Sequence, residues 1–589
     1  MKTNLSFFIF LLIALLACIN DMIIYLFSIN YDVSLIISFF IIILIIIIMN
    51  KKNKIHIINN FKKRDLFVII PYLLYSFILM MNADEKLDTY NYHIYIQKNF
   101  FNDKINFDYL PNCSFFFPLG DRMAFIFRKL LGYRFGTILS VFAVIVMYFQ
   151  IKKILLEIFS NLKNKNWHLL ICSSLALFLI TPNWRIATYH IDNFSMVVLL
   201  ELYYFIIKKK ELDIYKYDLL YSFLLLGIAT AIKISNFFIG ITLIMYSFLK
   251  MLYKANSLKN MKISIKDSLL YSLIFIFPFI VYLINNYIQT KNPIFPFGNF
   301  IFKSIYYNNV TGMDNKFGIP NILCAFIWPI VVTIDPLKGF DYSVIEPIWG
   351  IGYIACIIVF ILKFNKKDKI WEMSLINIIL TIVWAVLLNG YVRYAQILPI
   401  AYYILIISNY ANIMDKSIKI INDIQSVIII ISIFISLIVT LSIDLAFITE
   451  RVLESWNNKI AVKDFFIKKD YYEIDGVWGS IAFNSGMIDL IRNPKTPIYN
   501  LDIVRGIDNT KSSYSEFAQN YVFDALKEKR VFTITSNKLF KETINYLEEE
   551  HFEIVSEIIP YYDSRFQDKD DKWFIIEIKV DTNNSIKKN

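Results

Sequence analysis

Long apolar runs separated by short lysine-rich segments set the strongest limit on how this chain can fold. Residues 5–27 and 33–49 are each apolar over a length that can cross a bilayer. Backbone inside lipid has no water to bond with, so such runs must close their own hydrogen bonds as helices. After the second run come Lys51, Lys52, Lys54, Lys62, Lys63 and Arg64, and a basic cluster of this kind marks the inner end of a span. Composition agrees: 57% of the chain is hydrophobic and 19% charged, against about 45–50% and about 25% in soluble proteins. The net charge of +11 lies between the spans rather than on one face of a folded domain, which excludes a nucleic-acid partner. With only 16 Gly and 15 Pro, a low-complexity chain is excluded too.

From the second span onward the alternation is regular. Lys2 ahead of an apolar run and Cys18 behind it look like a signal peptide, but apolar character continues to Phe27, so an uncleaved first helix is expected. Residues 66–81 then run outward and 135–148 return to Lys152 and Lys153. Residues 168–180 go out, and 194–207 return to Lys208, Lys209 and Lys210. The stretch 219–249 carries Lys233 near its middle, with basic residues beyond both ends. Two short helices with Lys233 at their outer tip avoid the roughly 2.5–3.5 kcal/mol of a lysine at mid-bilayer. Residues 269–286 lead out, 349–362 return, 370–388 go out, 395–407 return and 427–447 make the last crossing. Between them, 321–334 is apolar but short, and a re-entrant or interfacial helix is expected there.

The expected fold is therefore an all-α polytopic membrane protein of about thirteen transmembrane helices, N-terminus inside and C-terminus outside. Its membrane domain would span 1–448, with outer loops 82–132 and 287–347. From 449 to 589 charged residues alternate with short apolar runs: RVFTIT (530–535) and WFIIEIKV (573–580) read as strands, and 541–550 as an amphipathic helix. This is a small α/β domain outside the membrane. Cys18, Cys113, Cys172, Cys324 and Cys356 fit no metal spacing and read as structural thiols.

Chemistry concentrates in residues 82–121, where Asp84, Glu85 and Asp88 precede Tyr90, Tyr92 and His93. On an α-helix Asp88 and Tyr92 share a face. A carboxylate there serves as a general base toward a hydroxyl, or the loop is a solvated acidic surface among interfacial aromatics. Lys233 and Arg393 stand at outer helix ends, suited to a phosphate or to snorkelling. Asp192, beside His190, is a second acid or a metal ligand, or the N-cap of the next helix, the cap being favoured on local grounds. No closely spaced ligand set joins His93 and His190 into a zinc site. Trp184, Tyr189 and Tyr391 read as interface-belt aromatics.

Several of these segments resemble the bacterial GT-C membrane glycosyltransferases, relatives of the protein mannosyltransferases and of the enzyme that adds aminoarabinose to lipid A. LDTYNYHIYIQKNF resembles the Asp-x-x-x-Tyr-His pattern of the family's first outer loop, and TPNWRIATYHIDNFSM its second outer turn. GIATAIKISNF resembles its hairpin with a lysine tip, INNYIQTKNPIFPFGNF its Arg-Asn-Tyr…Gly-Asn-Pro segment, and YVRYAQILPI its Arg-Tyr…Pro start of a late helix. Asn285 and Lys291 depart from the pattern, standing where Arg and Gly are common. The resemblance covers about residues 1–445 and implies a membrane glycosyltransferase with a polyprenyl-phosphate sugar as donor and a glycan, lipid or protein hydroxyl as acceptor. Asp88 would be the catalytic base of an inverting transfer. Lys233 and Arg393 would hold the phosphate, and Tyr92, His93, Asp192 and Tyr394 would complete the donor site, without bound metal or cofactor. The cell membrane is then its setting and nucleic acid no partner. Alternatives are a glycan polymerase or ligase using lipid-diphosphate chains, which wants a large late outer loop, and a lipid or solute transporter, which wants repeats and charges at mid-membrane.

Overall fold

A computed structural model describes residues 2–51, 56–58, 61–99, 116–159, 186–208, 215–255, 265–306, 318–339, 346–414 and 472–580, with short breaks inside some of these ranges. The expected crossings at 168–180 and 427–447 lie outside the described residues, as does most of the expected helix 541–550. The described chain is mostly helical with one small C-terminal sheet region.

The apolar runs form the expected helices with shifted ends. Leu5–Phe27, Tyr31–Lys51 and Leu66–Met80 come first. Strand β1 (Lys2–Asn4) pairs in parallel with β2 (His56–Ile58) and ties the first helix to the basic segment after the second. Among the described residues, four helices are long and apolar enough to cross a membrane: Leu5–Phe27, the second from Tyr31 to Ile48, Ile138–Ile158 and Lys369–Leu387. Four more apolar helices have 10–17 residues. The expected thirteen crossings are not counted in these residues.

Three expectations need correction. The single span at 269–286 is a bent pair, Ile265–Ile276 and Ile280–Thr290, at 66° to one another. Pro278 sits at the break, where it removes a backbone donor and clashes with the preceding turn. The helix expected to end at Tyr148 continues to Ile158, so Lys152 and Lys153 are not in a solvated loop. Lys152 Nζ binds both Asp65 oxygens at 2.7 Å, and Lys153 Nζ binds Glu201 Oε1 at 2.8 Å. Acids on neighbouring helices pull these ammonium groups inward, which the charge pattern alone does not reveal. Tyr189, read as an interface aromatic, is fully buried.

The hairpin expected around Lys233 is present: Tyr215–Ile232 and Asn236–Ala255 flank it, and the two helices pack together. Residues 322–326 form a 3-10 turn and Trp328–Ile334 a short helix, both too short to span. Their exposed Ile322, Leu323, Phe326, Ile327 and Ile334 suit the interfacial position expected. Lys291, where glycine is common in the resembling motif, ends its helix at φ 61°, a conformation that glycine adopts at no steric cost.

The C-terminal sheet has the strand order β4 (Ile498–Asn500), β3 (Val477–Ser480), β5 (Val531–Ser536), β8 (Trp573–Val580), β6 (Phe552–Ile554), with β7 (Ile559–Tyr561) also on β8. β3 runs parallel to β4 and β5, while β8 is antiparallel to its neighbours. Every residue of β5 is buried, as a strand covered on both faces requires. One face joins the helical core: Trp478, Met487, Ile488, Ile491 and Ile575 share a single apolar cluster with Ile94, Tyr95 and Ile96. The short helix Ser485–Ile491 packs directly on the turn Thr89–His93 and on the helix Ile94–Asn99. The other face packs on Phe295 and Tyr306, and Ser515 N donates to Tyr306 O at 3.2 Å.

This region therefore braces the segment that carries Asp88 and His93. Ile488→Val, removing one methyl from a fully buried position, is expected to cost about 0.5–1.5 kcal/mol. A thermal melt of the full chain in detergent should show a lowered midpoint.

Candidate active site

Asp88 stands immediately before a π-helical turn, Thr89–His93, which runs into the helix Ile94–Asn99. An α-helix would place Asp88 over Tyr92; a π turn closes i to i+5 and so brings His93 toward the same face. The Tyr92 and His93 rings lie 4.2 Å apart between centroids, tilted by 41°. The extra residue of this turn is what alternation and helical spacing in the sequence could not disclose.

Asp84 explains how the loop is held. It is buried, and its Oδ2 accepts from Thr89 Oγ1 at 2.7 Å and from the Tyr189 backbone N–H at 2.7 Å. Its carbonyl accepts from Tyr133 OH at 2.6 Å. A buried carboxylate costs dearly unless several donors satisfy it, and these donors weld the Asp88 segment to the turn that precedes Asp192. Asp84 is thus a structural anchor, and Glu85 lies outside the described residues.

Asp192 is the first residue of the helix Asp192–Ile207, so the N-cap position falls on Ile191 and not on Asp192. Instead Asp192 is a buried counter-ion. Lys233 Nζ donates to Asp192 Oδ1 at 2.7 Å, and Arg393 Nε donates to Oδ2 at 3.3 Å. The carboxylate draws the hairpin tip and the turn Val392–Tyr394 to one point.

Arg393 is the hub. It pairs with Asp88 through Nη1, with Asp192 through Nε, and donates from Nη2 to His190 Nδ1 at 3.2 Å. Its turn is fixed from behind by Gly390, which lies at φ +60° with its carbonyl accepting from Trp328 Nε1 at 3.2 Å. A Cβ on Gly390 would meet Trp328 Nε1 at 1.8 Å, so only glycine fits. Trp384 Nε1 donates to Tyr391 O at 2.9 Å and holds the same turn to its preceding helix. Lys233 Nζ stands 5.0 Å from the centre of the Tyr394 ring, within cation–π range.

All seven candidate residues from the sequence thus gather in one place: Asp88, Tyr92 and His93 from the first outer segment, Asp192 from the second, Lys233 from the hairpin, Arg393 and Tyr394 from the late turn. The sequence reading did not assign roles to His190 or Asp121. The His190 ring lies 5.5 Å from that of His93. Asp121, on the helix Leu119–Phe135, meets His93 Nδ1 at 2.7 Å, with both residues buried. No spacing rule links residues 93 and 121 in the chain; only packing does.

Electrostatics separate the carboxylates. Burial works to raise Asp88, but the Arg393 guanidinium, with His190 and His93 beyond it, outweighs burial and holds the carboxyl down at about 2. Asp121 moves the other way: burial raises it from its ordinary value, with His93 opposing the shift. His190 is lowered by burial, with Asp192 opposing and Arg393 reinforcing the shift.

One carboxylate oxygen of Asp88 and one ring nitrogen each of His93 and His190 lie within 4.8 Å of one another, a spacing open to a metal ion. The partners argue against one. Arg393 supplies a cation to Asp88 already. Because an arginine only donates, His190 Nδ1 accepts, which leaves the proton of a neutral ring on Nε2 and no lone pair there for a metal. The donor set fits hydrogen bonding better than a third cation beside Arg393 and Lys233.

No protein-family profile matches the chain, and no curated protein does. Two solved structures are similar to it, both of ArnT from Cupriavidus metallidurans. The form bound to undecaprenyl phosphate matches at 9% identity and a TM-score of 0.49 over 87% of this chain and 97% of that one. The apo form matches at 10% and 0.47, over 88% and 98%.

Proposed function

We propose that this chain is a membrane glycosyltransferase that moves a sugar from a polyprenyl-phosphate donor to an acceptor hydroxyl on the outer face, with inversion. The convergence of Asp88, Asp192, Lys233 and Arg393 from four separate segments, at the ends of apolar helices, carries this reading. Two carboxylates and two cations balance there, so an incoming phosphate meets a site of no net charge with a flexible ammonium at its edge. Lys233 sits at the hairpin tip with its side chain 18% exposed, and its three donors serve the phosphate as it leaves. Arg393 spends its fork on Asp88, Asp192 and His190, so its chief task is to aim Asp88, with the phosphate second. Asp88 accepts the hydroxyl proton as that oxygen attacks the anomeric carbon from the face opposite the phosphate. The two-sided geometry parallels inverting hydrolysis, an acceptor replacing water. Phosphate leaves readily, so no strong acid is needed opposite Asp88.

In this reading residues 1–448 form the membrane domain, and residues 449–589 sit outside as a cover for the site. Packing of the sheet region on 89–99 and on Phe295 and Tyr306 supports the second assignment.

The test uses the purified full chain in lipid nanodiscs. Synthetic polyprenyl-phosphate hexoses and pentoses are offered with an envelope extract as acceptor pool. Release of polyprenyl phosphate together with labelled sugar in the extract is expected. Donors left intact, or transfer from diphosphate-linked chains alone, would overturn the proposal, the latter in favour of a polymerase or ligase.

A further inference from the structure

We propose that His93 and Asp121 form the proton sink of this site, taking from Asp88 the proton that the acceptor hydroxyl gives up. The inference rests on the glycosyl-transfer reading and adds to it where the proton goes. His93 Nδ1 meets Asp121 Oδ1 at 2.7 Å, and both side chains are buried. A carboxylate at Nδ1 fixes the proton on that nitrogen and leaves a lone pair on Nε2. His93 Nε2 is buried and has no hydrogen-bond partner. An imidazole with its proton pinned at one nitrogen and a bare lone pair at the other is built to receive a proton. An Asp88 carboxylate oxygen and one ring nitrogen of His93 lie within 4.8 Å of each other, a gap short enough for a single water to bridge.

Chemistry supplies the need. Asp88, held at about 2 by Arg393, can share a proton as the new bond forms but cannot keep it. In the completed step the acceptor O–H bond breaks, the anomeric carbon gains that oxygen, and the bond from carbon to phosphate oxygen breaks with its electron pair on the phosphate. The proton passes through Asp88 and the bridging water to His93 Nε2, and Asp121 balances the imidazolium. It returns to the departing phosphate, which leaves as a dianion able to take it. His93 is therefore a positioning and proton-holding residue, and Asp88 remains the group that touches the acceptor.

The charged and titratable groups around His93 are Asp121 and Arg128 on the helix Leu119–Phe135, Asp88 and Tyr92 on its own turn, and His190, Asp192 and Arg393 opposite. On the helix Ser485–Ile491, Asp489 pairs with Arg492. None of these offers a second imidazole lone pair toward Asp88, since His190 Nδ1 is engaged by Arg393.

His93→Asn keeps a donor toward Asp121 and removes the Nε2 base. Release of polyprenyl phosphate from the synthetic donors should fall on the order of 100-fold in kcat, with donor KM and binding of polyprenyl phosphate unchanged. Imidazole nitrogen-15 spectra of the full chain, with five histidines, give a readout independent of turnover: His93 should carry its proton on Nδ1 and none on Nε2. A variant with wild-type kcat overturns the relay alone. So does a binding loss as large as the rate loss, or a neutral His93 protonated at Nε2. A wild type that transfers nothing overturns the glycosyl-transfer reading itself, and the nitrogen spectra then decide whether the His93–Asp121 pair exists as described.

Discussion

Asp88→Asn should reduce sugar transfer by on the order of 1,000-fold or more while polyprenyl phosphate still binds. The amide keeps the size and direction of the side chain but cannot accept the proton of an attacking hydroxyl, a function that contributes typically 10²–10⁴-fold. Binding should persist because Lys233 reaches Asp192 rather than Asp88. The pH dependence of stability has a definite sign. The folded-state value of about 2 lies below the ordinary 3.8, so the Asp88–Arg393 pair contributes its full stabilisation above about pH 4. That contribution is lost as pH falls from about 4 to about 2. With the Asp88 side chain 22% exposed, the stabilisation is on the order of 2 kcal/mol. The variant should show a flatter acid-unfolding curve in that window. Transfer at the wild-type rate in Asp88→Asn would remove Asp88 from the reaction.

The sequence disclosed more of the topology than of the site. Apolar length and lysine clusters located Leu5–Phe27, Tyr31–Lys51 and Lys369–Leu387 within a few residues, because the bilayer imposes length and sidedness on each segment independently. The Lys233 hairpin was legible for the same reason: a lysine that would be costly at mid-span is placed at a tip. Asp192 was not, since the residue before a helix reads as a cap from local chemistry and becomes a counter-ion only when Lys233 and Arg393 arrive from residues 41 and 201 positions away. Asp121 and the π turn were invisible for a related reason. A hydrogen bond between residues 28 apart, and one residue added to a helical turn, leave no periodic trace. Lys152 and Lys153 show the converse error, because charge marks a loop in the sequence whether or not Asp65 and Glu201 wait on the next helices.

Arg393→Ala should be the most damaging single change in the molecule, affecting stability and transfer together. The guanidinium holds Asp88, Asp192 and the His190 ring from one side chain. Removing one partner of a buried pair costs about 3–5 kcal/mol, because the stranded charge keeps its desolvation penalty. Asp192, only 3% exposed, would keep Lys233 but lose the guanidinium. Asp88 would lose the cation that offsets its burial, and its carboxyl would rise toward or above the ordinary range, as burial by itself dictates. Acid sensitivity of the transfer rate should therefore move to higher pH in this variant. Arg393→Lys separates charge from geometry: an ammonium can meet one carboxylate as a point charge but cannot fork onto Asp88 and Asp192 while also donating to His190. It should recover part of the melting temperature and little of the rate. Equal recovery of both would mean that Arg393 serves the site by charge alone, and the orientation of Asp88 would then have to come from the π turn and from Asp84, which anchors it to the Tyr189 backbone.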